Sequence, residues 1–170
     1  MKIEVATKKD IPYIIEIANK VWPSTYLPIL GKQQLDYMLQ LFYNSAAIEK
    51  QMEEQQRFFI CIYNDCPIGF AAITKETQNS FKLQKLYILP EYQGIGAGYY
   101  FLEFLIELIK NETAKTLILN VNRYNEHAIK FYKKKGFVKT KEVDIEIGNG
   151  YYMNDYIMEL LLMEVDRYTL

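Results

Sequence analysis

The chain has 170 residues, of which 50% are hydrophobic and 24% are charged, and its formal net charge is −1. This composition predicts a single domain with a buried core over residues 1–170 and excludes a disordered tail or a fibrous repeat. The near-neutral charge gives no electrostatic basis for binding nucleic acid. Two cysteines and one histidine are too few for a disulfide framework or for a zinc site without carboxylates, so no metal is predicted. No leader segment or apolar run long enough to span a membrane is visible, and we expect a cytoplasmic protein.

The first part of the chain is predicted to be one strand followed by helices. Apolar side chains recur at helical spacing after Pro12, a residue that fits only the first turn of a helix. Pro23 and Pro28 are expected to end this helix and to bracket a loop. In chain order the predicted elements are a strand over residues 2–6, a helix from about residue 11 to residue 22, a loop over residues 23–31, a helix around residues 35–42 and a helix around residues 48–52.

The rest of the chain alternates between β-rich runs and helical periodicity. Gly136 is placed to end a helix in the left-handed conformation, and a Gly-Asn-Gly turn at residues 148–150 predicts a closing hairpin. The strand–helix–strand passage over residues 81–121 predicts a right-handed parallel crossover. The predicted elements are strands over residues 58–63, 68–74 and 81–89, a helix around residues 102–109, a strand over 116–121, a helix over 125–135, and hairpin strands over 137–147 and 151–163. The fold class is therefore mixed α/β.

The most informative segment is a glycine-rich loop between a predicted strand and a predicted helix, Gln93-Gly-Ile-Gly-Ala-Gly98. Glycines allow close backbone approach, and unpaired amides at a helix start attract an anion such as a pyrophosphate. A nucleotide-binding P-loop fails because Tyr99 and Tyr100 stand where glycine and lysine are required. A dinucleotide fingerprint fails at Tyr99 as well. A third pattern, Gln/Arg-x-x-Gly-x-Gly/Ala, is satisfied.

That third pattern resembles the acyl-CoA pyrophosphate loop of the GCN5-related N-acetyltransferases (GNAT). A second match follows in the expected order: Leu119-Asn-Val121, then Asn125-x-x-Ala128-x-x-Phe131-Tyr132, then Gly136-Phe137. The resemblance covers essentially the whole chain. It implies the GNAT acyl-CoA N-acyltransferase fold, a mostly antiparallel central sheet of about seven strands flanked by helices, with acetyl-CoA as the acyl donor.

The resemblance also implies roles for individual residues. Backbone groups of the strand before the loop pair with the pantetheine arm, loop amides hold the pyrophosphate, and Asn125 both caps a helix and bonds the pantetheine or acetyl region. Tyr132 is implied as the general acid that protonates the departing thiolate, a task suited to an oriented phenol. The donor-binding residues implied are Leu86, Tyr87, Ile88, Gln93, Gly94, Ile95, Gly96, Ala97, Gly98, Tyr99, Asn125 and Tyr132.

One position departs from the family pattern. Many members carry a glutamate base where this chain has Asn120, and an amide cannot accept a proton at neutral pH. Proton removal could instead pass through water to a backbone carbonyl or to another carboxylate, or the amine could arrive neutral. The one histidine, His127, is expected to be a solvated helix residue that faces away from Tyr132.

The acceptor site is predicted from the N-terminal helices and the C-terminal hairpin. An acidic, aromatic slot for a cationic amine would use Trp22, Tyr26, Asp144, Glu146 and Asp155. These segments also resemble the polyamine-acetylating PaiA-type branch of the family. The sequence therefore favours an N-acetyltransferase for a small, polyamine-like primary amine. The alternatives are a protein N-terminal or lysine acetyltransferase and a non-catalytic acyl-CoA-binding regulator, and a homodimer is compatible with the sequence.

Overall fold

The structure is a computed structural model that describes residues 1–162, so the predicted end of the last strand at Met163 lies outside the described residues. Its order of elements alternates strands and helices as the sequence predicts. The elements are β1 (Lys2–Val5), α1 (Ile11–Phe42), α2 (Ser45–Glu53), β2 (Arg57–Tyr63), β3 (Cys66–Lys75), β4 (Ser80–Ile88), α3 (Ala97–Lys110), β5 (Thr116–Asn122), α4 (Glu126–Lys134), β6 (Val138–Gly148) and β7 (Tyr151–Leu161).

The seven strands form one sheet in the order β1-β2-β3-β4-β5-β7-β6. Among these strands β4 and β5 pair in parallel and the other neighbours pair antiparallel. One face of the sheet packs against α1 and α2, and the other packs against α3. The mixed α/β class, the seven-stranded sheet flanked by helices and the parallel crossover are confirmed.

The sheet divides at the β4–β5 pair. The two strands pair only from Ser80 to Leu83 on β4, although β4 continues to Ile88 beside β3. A β-bulge at this point leaves Gln84 without a partner on β3, because Leu83 pairs with Ile73 and Lys85 pairs with Ala72. A bulge bends its strand and increases the local twist. The C-terminal ends of β4 and β5 therefore diverge and leave a cleft between them.

The predicted loop over residues 23–31 is wrong, because α1 runs through both prolines. Each proline removes one helical hydrogen bond, but Val21 and Trp22 are buried just before them, and this packing favours the helix over an open loop. The Ser24 hydroxyl donates to the Val21 carbonyl at 2.8 Å. The helix breaks instead at Gly31, whose backbone has φ 75° and ψ 165°.

Within residues 1–162 no helix combines the length and the apolar character needed to cross a membrane. The same residues contain no group of three or more histidine, cysteine, aspartate or glutamate side chains placed to hold a metal ion.

Candidate active site

The divergence of β4 and β5 opens a cleft of about 770 Å³. Its walls come from α1, from β4 and the turn after it, from the glycine-rich loop, and from β5 and α4. Beyond Leu83 the β4 edge that faces the cleft has no strand partner, so the backbone along Leu86, Tyr87 and Ile88 is open on that side apart from the Ile88 carbonyl, which accepts from Gln93. Such an edge can form hydrogen bonds with an extended ligand.

The glycine-rich loop closes one end of this cleft. Gly94 and Gly96 have φ of 80° and 84°, values that favour glycine. In the described part of the chain, the backbone amides of residues 94–99 form no hydrogen bond to a backbone carbonyl, and the first helical bond of α3 is donated by Tyr100 to Gly96. Six free amides at the start of a helix make a site suited to an anion.

Three residues of this segment with side chains, Gln93, Ala97 and Tyr99, belong to the cleft wall. The Gln93 amide donates to the Ile88 carbonyl at 3.0 Å and so ties the loop to the end of β4. Ile95 is exposed and is not part of the cleft wall. A methyl group added at Gly98 would meet Phe131 and Ile88 at ordinary contact distances of 3.8 and 3.9 Å.

The helix α4 brings Asn125 and Tyr132 to the opposite wall. Asn125 accepts a hydrogen bond from the Ala128 amide at 3.2 Å, so its side-chain oxygen caps the helix, and the same side chain lines the cleft in polar contact with Tyr26. Tyr132 packs edge-on against Phe131 and Phe137, with ring centroids 5.1 and 5.4 Å away. Burial raises the pKa of the Tyr132 phenol, and the nearby Tyr26 adds to this effect. The phenol is therefore protonated at neutral pH.

An aromatic cluster forms the part of the cleft nearest to α1. Tyr26 lines the cleft, and Trp22 lies behind it with ring centroids 4.7 Å apart. The Trp22 ring also packs against the rings of Tyr43 and Tyr87, with centroids 5.2 and 6.1 Å away. Burial raises the pKa of Tyr26, and polar contacts with Tyr87 and Asn125 lower it in part. Trp22 is 5% exposed and outside the cleft wall, so it supports Tyr26 rather than facing a ligand.

The predicted acidic slot is not assembled as one surface. Asp144 and Glu146 pair with Asn154 and Tyr152 on β7, so they lie on the opposite face of the hairpin from Asp155, which pairs with Val143. Asp144 accepts hydrogen bonds from Arg123 and Asn154. The three carboxylates were predicted to share one slot. Alternation along a strand shows which residues share a face, but it does not show which of the two faces meets the cleft.

Asp155 is instead buried behind the cleft wall. Its carboxylate accepts a hydrogen bond of 3.4 Å from Asn120, whose side chain lines the cleft. Burial raises the pKa of Asp155, while the hydrogen bond from Asn120 and the positive charges of Lys82 and Arg123 act in the opposite direction.

Among the described residues, two titratable residues of the cleft wall were not predicted as site residues, His127 and Lys85. His127 is exposed, as predicted for a solvated helix residue, but it lines the cleft although it was expected to face away from Tyr132, because the first turn of α4 lies at the cleft mouth. Lys85 lines the cleft and donates to Gln56 at 3.1 Å, and burial lowers its pKa to about 8. Only the bulge at Gln84 places Lys85 and Tyr87 on this face, and no turn residue in this part of the sequence indicates a bulge.

The hairpin of β6 and β7 is tied to α1 beside the cleft. The Tyr37 hydroxyl donates to the Ile147 carbonyl and the Gln34 amide donates to the Tyr152 carbonyl, both at 2.8 Å. The Tyr37 and Tyr151 rings contact each other with centroids 5.2 Å apart. Gly148 lies so close that an added methyl group would be 2.7 Å from the Tyr37 hydroxyl.

Comparison with known proteins agrees with this architecture. The chain has the fold of the PaiA N-acetyltransferase from Thermoplasma acidophilum, crystallised in complex with coenzyme A, with a TM-score of 0.79 at 24% identity, over 95% of this chain and 99% of that one. Residues 12–137, most of the chain, match the acetyltransferase (GNAT) family. The protein therefore belongs to the GNAT family and is an acetyltransferase.

Relatives known from sequence carry related names. An uncharacterized N-acetyltransferase of Mycobacterium tuberculosis is 25% identical over 150 residues, which cover 88% of this chain and 96% of the relative. The peptidyl-lysine N-acetyltransferase YjaB of Escherichia coli is 35% identical over 89 residues, which cover 51% of this chain and 53% of that protein.

Proposed function

We propose that the protein transfers the acetyl group of acetyl-CoA to the primary amine of a small molecule, by direct attack of the amine on the thioester. One observation carries this proposal: a single cleft joins an unpaired β4 edge, six free amides at the start of α3 and the protonated phenol of Tyr132. A backbone edge suits an extended pantetheine arm, and free helix-start amides suit a pyrophosphate.

The donor end of the cleft fits acetyl-CoA. Amides of Gly94 through Tyr99 hold the pyrophosphate, and backbone groups of residues 86–88 bond the pantetheine arm. Asn125 orients the acetyl end while it caps α4. In support, a PaiA acetyltransferase of this fold was crystallised with coenzyme A, and a putative acetyltransferase of Salmonella typhimurium was crystallised with acetyl-CoA. The bound thioester supplies an activated acyl group.

Tyr132 donates a proton to the leaving group, the thiolate of coenzyme A. As the bond between the carbonyl carbon and sulfur breaks, negative charge develops on sulfur, and an oriented phenol donates its proton there. A phenol is protonated at neutral pH and burial raises the pKa of this one further, so the proton donor is present at the start of each turnover. Retention of this phenol in the cleft argues for an enzyme over an acyl-CoA-binding regulator.

A small acceptor is favoured by the contacts between α1 and the hairpin. The bonds from Tyr37 and Gln34 close the space between them, which narrows access for a folded protein surface. Ser24, Thr25 and Tyr26 of α1 then offer hydroxyl groups to a small amine. No carboxylate stands among the described residues of the cleft wall, so a second cationic nitrogen gains little, and polyamines are one acceptor class to be tested among several.

Acetylation of a protein lysine is the second candidate. Similarity to the peptidyl-lysine N-acetyltransferase YjaB favours it, although that similarity spans about half of each chain.

A single domain over residues 1–170, a cytoplasmic location and a homodimer stay predictions.

Two measurements test the proposal. Acetyl-CoA should raise the melting temperature by mass action, whereas NAD should leave it unchanged. Free-thiol release should then be followed with spermidine, with butylamine and with a lysine-containing peptide as acceptors. Faster thiol release with either small amine supports the proposal, and release with the peptide alone supports the second candidate. No melting shift with saturating acetyl-CoA would contradict both.

A further inference from the structure

Asp155 is a charged residue buried in the interior of the protein, with an exposure of 6%. It lies on β7 directly opposite Asn122 of β5, so its side chain shares a face with Asn120, two residues earlier on β5. That face is the one covered by α1, where Tyr26 lies close enough for the two groups to interact electrostatically. The carboxylate thus lies directly behind Asn120, at the end of the cleft nearest to α1, which we call the acceptor end.

This carboxylate has few partners for a buried charge. A carboxylate can accept about four hydrogen bonds. In the described part of the chain it accepts one, the 3.4 Å bond from Asn120. The titratable and charged groups that face it are Tyr26 of α1, Lys82 of β4 and Arg123 after β5. The Arg123 guanidinium bonds Glu142, Asp144 and the Val143 carbonyl instead.

Burial of a carboxylate with few hydrogen bonds lowers the stability of the folded state unless the carboxylate binds a proton or pairs with a cation. In most proteins a structural aspartate at such a site would be paired with an arginine or lysine. Here the free acceptor capacity lies beside the cleft wall formed by Asn120 and Tyr26. A cationic amine that enters this end of the cleft would supply both the charge and the proton.

We propose that Asp155 is the proton acceptor for the amine, taking from β7 the task that the family resemblance assigns to a glutamate at the position of Asn120. This inference rests on the proposed function. Asn120 then has a positioning role, because its side chain lines the cleft and its amide donates to the carboxylate directly behind the cleft wall.

The proton and electron pairs balance through one turnover. Asp155 takes one proton from the acceptor ammonium, and the freed nitrogen lone pair forms a bond to the thioester carbonyl carbon. The bond between carbon and sulfur then breaks, with its electron pair on sulfur, and sulfur takes the proton of the Tyr132 hydroxyl. The second proton leaves nitrogen as the amide forms and restores Tyr132, and Asp155 releases its proton to solvent.

The direction of the Asp155 pKa agrees with this task. Burial raises it above the ordinary aspartate value of about 3.9, which makes the carboxylate a stronger base than an exposed one. The base acts when deprotonated, so kcat should rise with pH through the raised pKa of Asp155.

The decisive test exchanges two side chains of equal size. Asp155→Asn removes the carboxylate, and the double variant Asn120→Asp with Asp155→Asn moves it to the neighbouring strand while keeping one acid and one amide in the pair. Asp65→Asn, the same change in the exposed β2–β3 turn, is the control. With acetyl-CoA and spermidine or butylamine, whichever the wild type accepts, kcat and KM should be measured across pH.

Asp155→Asn should lower kcat about 10²-fold, change the acetyl-CoA KM little and remove the rise of kcat with pH. The exchange variant should regain that rise and most of kcat, and Asp65→Asn should behave as wild type. The proposal is overturned if Asp155→Asn keeps the wild-type kcat and pH profile. It is also overturned if the exchange variant folds as wild type without regaining the rise. Should Asp155→Asn fail to fold, the exchange variant, which retains the pair, carries the test.

Thermal unfolding gives a readout that needs no acceptor. Because the native pKa of Asp155 is raised, the native state binds more protons than the unfolded state above pH about 3.9. Its contribution to the free energy of unfolding therefore falls as pH rises through that window, and Asp155→Asn should remove this fall and be at least as stable as wild type at neutral pH. If this signature appears but no amine is acetylated by the wild type, the proposed function fails, whereas turnover by the wild type without any effect of Asp155→Asn contradicts only the inference.

Discussion

The donor end and the acceptor end of the cleft are built in different ways. The donor end uses the backbone of segments that are continuous in the chain, from β4 through the glycine-rich loop to α3. The acceptor end uses side chains from α1, β5 and β7, and its residues Tyr26 and Asp155 are far apart in sequence. A ligand common to a family can be bound by backbone groups, because these are the same whatever the side chains are. A variable acceptor must be selected by side chains that the fold brings together.

Substitution of Gly96 should have the largest effect at the donor end. Gly96→Val places a β-branched side chain at φ 84°, where only glycine is unstrained, and distorts the start of α3 that presents the amides. We expect the melting shift caused by acetyl-CoA to be lost. Differential scanning fluorimetry with and without acetyl-CoA measures this.

The matched control is Gly98→Ala, two residues later and inside α3. Its backbone is helical, and the added methyl group meets Phe131 and Ile88 at 3.8 and 3.9 Å, so it fits without movement. The acetyl-CoA shift should remain. If Gly96→Val retains the shift as well, the loop backbone is not what binds the pyrophosphate, and the donor end is no different in kind from the acceptor end.

Tyr132 is the donor-end residue that acts through its side chain, so its removal should affect rate and not binding. Tyr132→Phe should leave the melting shift with acetyl-CoA in place and lower kcat about 10²-fold, since only the proton donor is lost. Tyr124→Phe, at an exposed tyrosine just before α4, is the control. A wild-type kcat in Tyr132→Phe would exclude this phenol as the acid.

The same contrast explains how much the sequence could predict. The glycine spacing, the Asn125 cap and the helix end at Gly136 are local features, so the donor end and the order of most elements could be predicted. The structure places the implied donor residues other than Ile95 around one cleft, and their individual roles stay predictions.

The acceptor end could be predicted only in part, through Tyr26 and Asp155, for two physical reasons. A bulge at Gln84 changes which residues of β4 face α1, and a period of two in the sequence carries no sign of it. The packing of Val21 and Trp22 keeps α1 helical through two prolines that, taken locally, predict a loop. Both are effects of tertiary structure on a local pattern, and both decide which side chains reach the acceptor.

Loss of the contact between α1 and the hairpin should have a moderate effect, and only on the KM for the acceptor. Tyr37→Phe removes the 2.8 Å bond to the Ile147 carbonyl, and a neutral hydrogen bond of this kind contributes about 0.5–1.5 kcal/mol. We expect the acceptor KM to rise a few-fold and the acetyl-CoA KM to stay unchanged. Tyr13→Phe, at an exposed position on α1, controls for loss of a tyrosine hydroxyl. A rise in both KM values would show that the two ends of the cleft are coupled through this contact.

Substitution of Asp144 should have the smallest effect on acceptor kinetics, although its carboxylate was predicted to line the acceptor slot together with that of Asp155. Its carboxylate is exposed, lies on the hairpin face opposite Asp155 and is occupied by Arg123 and Asn154. Exposed ion pairs contribute about 0–1 kcal/mol, so Asp144→Asn should cost little stability and leave both KM values within about twofold of wild type. Steady-state kinetics with acetyl-CoA and the accepted amine measure this, and added salt should leave the acceptor KM unchanged too, since none of the carboxylates of residues 1–162 lines the cleft. A large rise of the acceptor KM in Asp144→Asn would instead place the amine on the outer face of the hairpin, near Gln34 and Tyr152, and the acceptor end would then lie on the surface rather than in the cleft.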